Sequence, residues 1–199
     1  MRKIIVTEWM SLDGVVQSPA YADEDTSGGF RHGGWHRPFF EEKSMQWVVG
    51  NVVRASAYLL GRTTYETFSK HWPNASAEEQ VLAEPINTRP KFVASRTLQA
   101  PLAWSHSTLL DGDVIEAVKK LKATDGGDIL VIGSPVLART LLAEGLVDEL
   151  RLMIDPIVIG SGKKLFGAQG MPTTFRLIES VATATGSLLV TYAREGASK

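Results

Sequence analysis

Apolar positions change their period several times along the chain, and the changes mark its elements. Residues 3–10 (KIIVTEWM) form a β-branched run ended by Ser11-Leu12-Asp13-Gly14, which predicts a first strand. Residues 15–37 follow no period and contain Gly28-Gly29 and Gly33-Gly34. Irregular stretches of that length are uncommon in compact domains and are often functional. The pattern predicts a helix over 38–53, a strand over 57–60, a short helix over 64–70 and a third strand over 91–95. Within 112–122, Val114, Ile115, Val118 and Leu121 recur at helical spacing. Residues 128–132 (DILVI) predict a strand and 135–144 a helix. The tail differs in kind, because 149–159, 175–181 and 187–194 are three strand patterns without intervening helices.

Short β-branched runs alternating with helical patterns predict an α/β fold with a mostly parallel central sheet flanked by helices. The tail adds an antiparallel C-terminal edge. With 199 residues, 44% of them hydrophobic and 22% charged, and with no repeat or linker, one domain over residues 1–199 is expected. A net charge of −1 gives no reason to expect nucleic acid or an anionic membrane as partner. The absence of cysteine rules out disulfides, thiolate metal sites and a cysteine nucleophile. The first apolar run stops at Thr7-Glu8, and no later run approaches the ~20 residues of a membrane span. A cytoplasmic protein is therefore expected.

Three strand ends carry residues suited to phosphate. In Leu59-Leu60-Gly61-Arg62-Thr63-Thr64-Tyr65-Glu66 an apolar run enters Gly61 and a helix opens at Thr63. Thr63-x-x-Glu66 has the capping-box pattern. Free amides at a helix start attract anions, and Arg62 adds a planar cation beside them. In Ile132-Gly133-Ser134-Pro135-Val136-Leu137, Gly133 permits close backbone approach, Ser134 is a natural N-cap and Pro135 suits the first helical position. Open α/β sheets place ligands at such carboxyl ends of central strands. At Ala94-Ser95-Arg96 a hydroxyl and a guanidinium suit a phosphate monoester such as the 2′-phosphate of NADP. Each of the three also reads as an ordinary strand end with a solvated arginine or a structural cap, and together they say more than any one does.

Two other motifs fail. Gly160-Ser161-Gly162-Lys163-Lys164 resembles a P-loop, but residue 157 is Ile and Lys164 stands where Ser or Thr is required. His32 and His36 are separated by Gly33-Gly34, which argues against one helix presenting both to a metal. No metal site is assigned.

The stretch Gly61-Arg62-Thr63-Thr64-Tyr65-Glu66 resembles the glycine-arginine-x-threonine-aromatic-glutamate segment of dihydrofolate reductases. Ser95-Arg96 resembles their serine-arginine strand end, and Ile132-Gly133-Ser134 their isoleucine-glycine-glycine turn. Ser11-Leu12-Asp13-Gly14 and Pro156-Ile157-Val158-Ile159-Gly160-Ser161-Gly162 are more similar to the reductase domain of the bacterial bifunctional riboflavin deaminase-reductase. These pieces span residues 3–194. The resemblance implies a dihydrofolate-reductase-like fold with NADPH across the carboxyl ends of the strands. Residues 61–64 and 95–96 would then lie along the adenosine phosphates, 132–137 at the pyrophosphate, and Met10, Asp13 and Gly14 by the nicotinamide. It also implies a cis peptide between Gly133 and Ser134, and a homodimer.

The function implied is NADPH-dependent reduction of a small pterin, pyrimidine or sugar-derived substrate. Alternatives are the 5-amino-6-(5-phosphoribosylamino)uracil reductase of riboflavin biosynthesis, a dihydrofolate reductase, and a nucleotide-binding sensor on the same fold. Ile132 stands where riboflavin reductases carry glutamate, and Gly33-Gly34-Trp35-His36-Arg37-Pro38 replaces the tryptophan-proline element of dihydrofolate reductases. Glu41 and Glu42 open the helix on which the latter carry a pterin-facing carboxylate, but they read as solvated acids favoured by the helix dipole. On the substrate side, Trp35, His36 and Phe39 either face a flat substrate or anchor a long loop. Asp13 is the candidate acid near the nicotinamide, or else shapes its turn.

Overall fold

The computed structural model describes residues 1–167 and 172–196. Its sheet has eight strands: β1 (Ile4–Ser11), β2 (Ala57–Gly61), β3 (Lys91–Ala94), β4 (Ser107–Leu109), β5 (Ile129–Ile132), β6 (Glu149–Asp155), β7 (Phe175–Ala182) and β8 (Leu188–Arg194). They lie in the order β4-β3-β2-β5-β1-β6-β8-β7. The pairs from β4 through β6 are parallel, whereas β8 runs antiparallel to β6 and β7 antiparallel to β8. The expected fold class is the observed one.

Five helices cover the two faces: α1 (Glu42–Arg54), α2 (Arg62–His71) and α3 (Gln80–Thr88) on one, α4 (Val114–Ala123) and α5 (Pro135–Ala143) on the other. Strands covered on both sides must be apolar on both sides, which is why Ala57–Leu60 and Ile129–Val131 read as unbroken apolar runs and are buried throughout. Side chains alternate along β1, so that Ile4, Val6 and Met10 join the α4/α5 core while Ile5 joins the α1/α2/α3 core. Burying a side chain such as Leu141 or Val118, both fully enclosed, contributes about 1.5–3 kcal/mol. Among the described residues, no helix is long and apolar enough to cross a membrane.

Several local expectations are corrected. Helix α3 falls in a segment whose Pro85 argues against a helix. Burial of Leu82, Ala83 and Ile86 outweighs that cost, and a capping box between Ser76 and Glu79 starts the turn that leads into it. The strand expected to reach residue 159 ends at Asp155, because Pro156 offers no N–H to the ladder. The box expected between Thr63 and Glu66 does not form. Gly61 is the N-cap, so Thr63 lies inside the first turn, and Glu66 instead accepts from Arg62 at 2.9 Å.

Candidate active site

Strands β1 and β5 are neighbours, yet the chain leaves β1 toward α1 on one face and leaves β5 into α5 on the other. Parallel strands whose connections diverge in this way open a crevice at their carboxyl ends. Its depth comes from unequal length. The last β1–β5 pair is Thr7 with Ile132, whereas β1 runs on beside β6 as far as Ser11. Residues 8–11 therefore have no β5 neighbour, and Met10 lies buried in this stretch.

Ser134 ties the crevice wall together. Its hydroxyl accepts from the Gly61 amide at 2.9 Å and donates to the Ile132 carbonyl at 3.2 Å, while its own amide donates to the Thr64 hydroxyl at 3.1 Å. One side chain thus joins the ends of β2 and β5 and the start of α2. A Cβ on Gly61 would stand 3.4 Å from that of Ser134, so glycine allows this close approach. The Gly133–Ser134 peptide is not cis; the cis bond among the described residues is Ala100–Pro101. The turn is made instead by two successive left-handed residues, Gly133 at φ 54° and Ser134 at φ 59°. Ser134 does occupy the N-cap of α5, but its hydroxyl, committed to β2, makes no cap bond.

Two helix starts consequently meet without side-chain caps: α2 at Arg62, Thr63 and Thr64, and α5 at Pro135, Val136 and Leu137. The N–H groups of Arg62, Thr63 and Thr64, and those of Val136 and Leu137 after the N–H-less Pro135, with the positive ends of two helix dipoles, suit a bridging diphosphate. Arg62 and Thr63 are exposed beside them. On the same rim, Ala94 pairs with Gly61 across β3 and β2. The Ser95 hydroxyl there accepts from the Thr97 and Leu98 amides and shapes a turn that leaves Arg96 exposed. Of the sequence-selected cofactor residues, 61–64, 95–96 and 132–137 are therefore brought to one rim, and Met10 and Gly14 are not part of it.

Asp13 and Gly14 lie at the other end, where Asp13 shapes its turn. Its carboxylate accepts from the amides of Ile159 and Gly160 at 3.0 and 2.9 Å and from the Ser11 hydroxyl at 2.7 Å. The Ile159 bond, with help from Ser11 and Gly160, overcomes partial burial and holds the group far below the usual carboxylate range. Through these bonds Asp13 fastens the loop after β1 to the 157–164 segment. Gln17 repeats the fastening, accepting from the Lys163 amide and donating to the carbonyls of Asp25 and Ser27. The Lys163 ammonium meets Asp25 at 2.6 Å. The glycine-rich segment 160–164 is accordingly a turn docked on the long loop.

On the α1 side of β1, Trp35 anchors the loop, buried against Val15 and Phe30 with its indole N–H on the Gln17 carbonyl. His36 is buried, stacks on Trp9 at 4.1 Å and places Nδ1 2.5 Å from the Asp155 carboxylate. Phe40, not Phe39, completes this aromatic group; the Phe39 carbonyl accepts from Thr185. Glu41 accepts from the Ala184 amide and Glu42 from Gln46, so neither acid enters the crevice. Among the described residues no cluster fits a metal ion.

Sequence reasoning missed Glu8, Asp155 and Ser187. Glu8 shares the face of Val6 and Met10, is 4% exposed, and leaves Oε1 without a partner among the described residues. Burial, and then the charge of Glu24, pushes its carboxyl well up. A signal was present, since Glu8 interrupts an otherwise apolar strand face. Asp155 and Ser187 gave none, because only β6–β8 pairing brings them together.

The family described as the RibD C-terminal domain matches residues 2–189, and the chain belongs to that family. The uncharacterized protein YyaP of Bacillus subtilis (strain 168) is 29% identical over 136 residues, covering 67% of this chain and 71% of that protein. A putative riboflavin biosynthesis protein from Shewanella sp. PV-4 superposes with a TM-score of 0.67 at 22% identity, over 97% of this chain and 99% of its own. A pyrimidine reductase-like protein from Corynebacterium diphtheriae gives 0.62 at 13%, over 97% and 92% of the two chains. Dihydrofolate reductase from Enterococcus faecalis, solved with NADP(H) and RAB-propyl, gives 0.61 at 12%, over 97% and 96%. The fold is dihydrofolate-reductase-like.

Proposed function

We propose that this protein is an NADPH-dependent reductase of a small pterin, pyrimidine or sugar-derived substrate. One observation carries the reading: two uncapped helix starts, joined by Ser134, face each other across the carboxyl ends of β2 and β5. The fit to a dinucleotide rests on those donors, on the side-chain-free approach at Gly61, and on the guanidiniums of Arg62 and Arg96 along the rim. Family membership and the NADP(H)-bound structural relative point the same way. When bound, NADPH supplies a hydride.

The remaining duties belong to the chain. The amides of α2 and α5 hold the diphosphate, and Arg62 with Ser95-Arg96 selects the 2′-phosphate. Met10 and Gly14 border the reacting end, and the clasp of 13–17 on 157–164 closes it to water. Trp35 and His36, with Phe39 beside them, bound the substrate side.

The test is a titration of the full chain with NADPH and NADH, followed by nicotinamide fluorescence and calorimetry. Micromolar NADPH binding with much weaker NADH binding is expected, and Arg96→Ala is expected to reduce the NADPH/NADH affinity ratio at least tenfold. Binding of neither nucleotide would overturn the reading. An unchanged ratio in Arg96→Ala would remove that residue from the 2′-phosphate site.

A further inference from the structure

Reduction of a polar double bond needs a proton as well as a hydride, and the Asp13 carboxylate is engaged by the Ile159 and Gly160 amides and the Ser11 hydroxyl. A buried array has the right parts. His36 and Asp155 are 2% and 0% exposed by side chain and meet at 2.5 Å through Nδ1 and Oδ2. The other carboxylate oxygen, Oδ1, accepts from the Ser187 hydroxyl at 2.7 Å, and the Ser187 amide donates to the Thr183 hydroxyl at 2.9 Å. One polar atom of the His36 ring is left over. Its Nε2 is buried and has no partner among the described residues.

The ring cannot easily turn to relieve that atom. Trp9 stacks on it with an interplanar angle of 28°, while Phe40 and Trp35 meet it edge-on at 5.3 and 6.3 Å between centroids. Rotation would break both the stack and the Asp155 bond. Asp155 is the acidic side chain bonded to the ring, and Trp9, Trp35 and Phe40 are its ring neighbours. The array lies at the carboxyl ends of β1 and β6, with Trp9 on β1 beyond the last β5 pair and Asp155 opposite Ser11. On the same side, α1 carries two more buried polar atoms without partners among the described residues, Ser44 Oγ and Asn51 Nδ2. They are seven residues apart and therefore on one face of the helix. Asn51 also accepts from Arg151 of β6, which fixes that face toward the sheet.

We propose that His36 is a catalytic acid whose Nε2–H protonates the substrate, with Asp155 and Ser187 as positioning residues; this rests on the reductase reading above. As hydride reaches the electrophilic carbon of a C=N or C=O group, the π pair moves to the heteroatom. That atom takes the proton from Nε2, and the N–H pair remains on the ring as a lone pair. Nδ1 keeps its proton on Asp155 throughout, and Nε2 is reprotonated from solvent once the loop opens. A carboxylate at Nδ1 sets the tautomer and compensates the charge of the doubly protonated ring. The preferred substrate class is then a planar cyclic imine or carbonyl compound whose heteroatom reaches Nε2, with further polar groups for Ser44 and Asn51.

The test uses the full chain, ¹⁵N-labelled at histidine and saturated with NADPH, with the ring nitrogens of His36 assigned by NMR. The expected result is an N–H at Nδ1 bonded to Asp155, lost from that partner in Asp155→Asn, and an N–H at Nε2. With an acceptor found among pterins, folates and pyrimidines by NADPH oxidation, His36→Gln is expected to lower kcat about 100-fold or more. Its NADPH affinity should stay within twofold of wild type. Ser187→Ala, which keeps ring and carboxylate, is expected to lower kcat less and to shift the pH profile; it also serves if His36→Gln does not fold. An Nε2 that carries no N–H, or wild-type kcat in His36→Gln, would overturn the proposal alone. Failure of the wild type to bind NADPH would instead remove the reductase reading, and this proposal with it.

Discussion

Glu8 occupies a strand position whose neighbours on the same face, Val6 and Met10, are buried in the core. Burial first, then the half-buried Glu24 carboxyl, raises its proton affinity in the folded chain. A group bound more tightly to its proton when folded adds stability fully below its unfolded pKa, and that stability is lost as pH rises through the folded one. The melting temperature of the wild type is thus expected to fall as pH climbs from the ordinary glutamate value of 4.5, and Glu8→Gln is expected to flatten the decline. A melting series from acid to mildly alkaline pH checks this; parallel curves for the two proteins would show that Glu8 does not titrate with folding. Ser134 acts at the same scale by another route. Ser134→Ala removes the acceptor of the Gly61 amide, and an unmet buried donor costs about 1–3 kcal/mol. Each kcal/mol corresponds to a loss of about 2–4 °C in Tm for a chain of this size. NADPH binding is expected to weaken as well, because the hydroxyl link from α5 to Gly61 is lost and only the residue-134 amide bond to Thr64 still joins the two helix starts. A calorimetric scan with and without NADPH separates the two effects.

Between elements, the long loop after β1 is held to the 157–164 segment by Asp13, Gln17 and Lys163. Asp13→Asn keeps the size of the side chain but turns one acceptor into a donor facing backbone amides. It is expected to speed proteolytic nicking within 157–164 several-fold and to leave the pH profile of turnover unchanged. A changed profile would return Asp13 to the chemistry. This scale also shows what the sequence could reveal. The strand Ile129–Ile132 was legible as an unbroken apolar run buried on both faces, and the helix Val114–Ala123 by the helical spacing of its apolar residues. Helix α3 was not, since Pro85 is a local signal against a helix that packing overrides. The rim proposed to hold phosphate was legible at Gly61, Ser95-Arg96 and Gly133-Ser134 because glycine and capping residues mark chain turns. The roles of single side chains there were less so. Ser134 bonds across to β2 rather than within its own helix, and Asp13 reaches amides far along the chain, partners that no local pattern specifies. His36 was singled out by composition, whereas Asp155 and Ser187 became visible only once β6 and β8 had paired.

Over the whole molecule, the two sides of the sheet end differently. At one end β4 is a three-residue strand, too short to template another chain. At the other, β7 is an eight-residue outer strand with exposed side chains along most of its length. Leu177 and Ile178 there are 48% and 50% exposed, and Leu188 on the neighbouring β8 is 43% exposed. A long apolar outer strand invites pairing or aggregation unless it is covered, and its register irregularity between Leu177 and Glu179 gives only partial protection. The chain is therefore expected to pair with a second copy through β7 and β8. Light scattering on the purified protein would then give twice the 21.7 kDa of one chain. Leu177→Lys places a charge on the covering surface without touching either core, so it is expected to give a monomer that keeps the fold by circular dichroism. A wild type that scatters as 21.7 kDa at micromolar concentration would show that this edge is guarded well enough to stand alone.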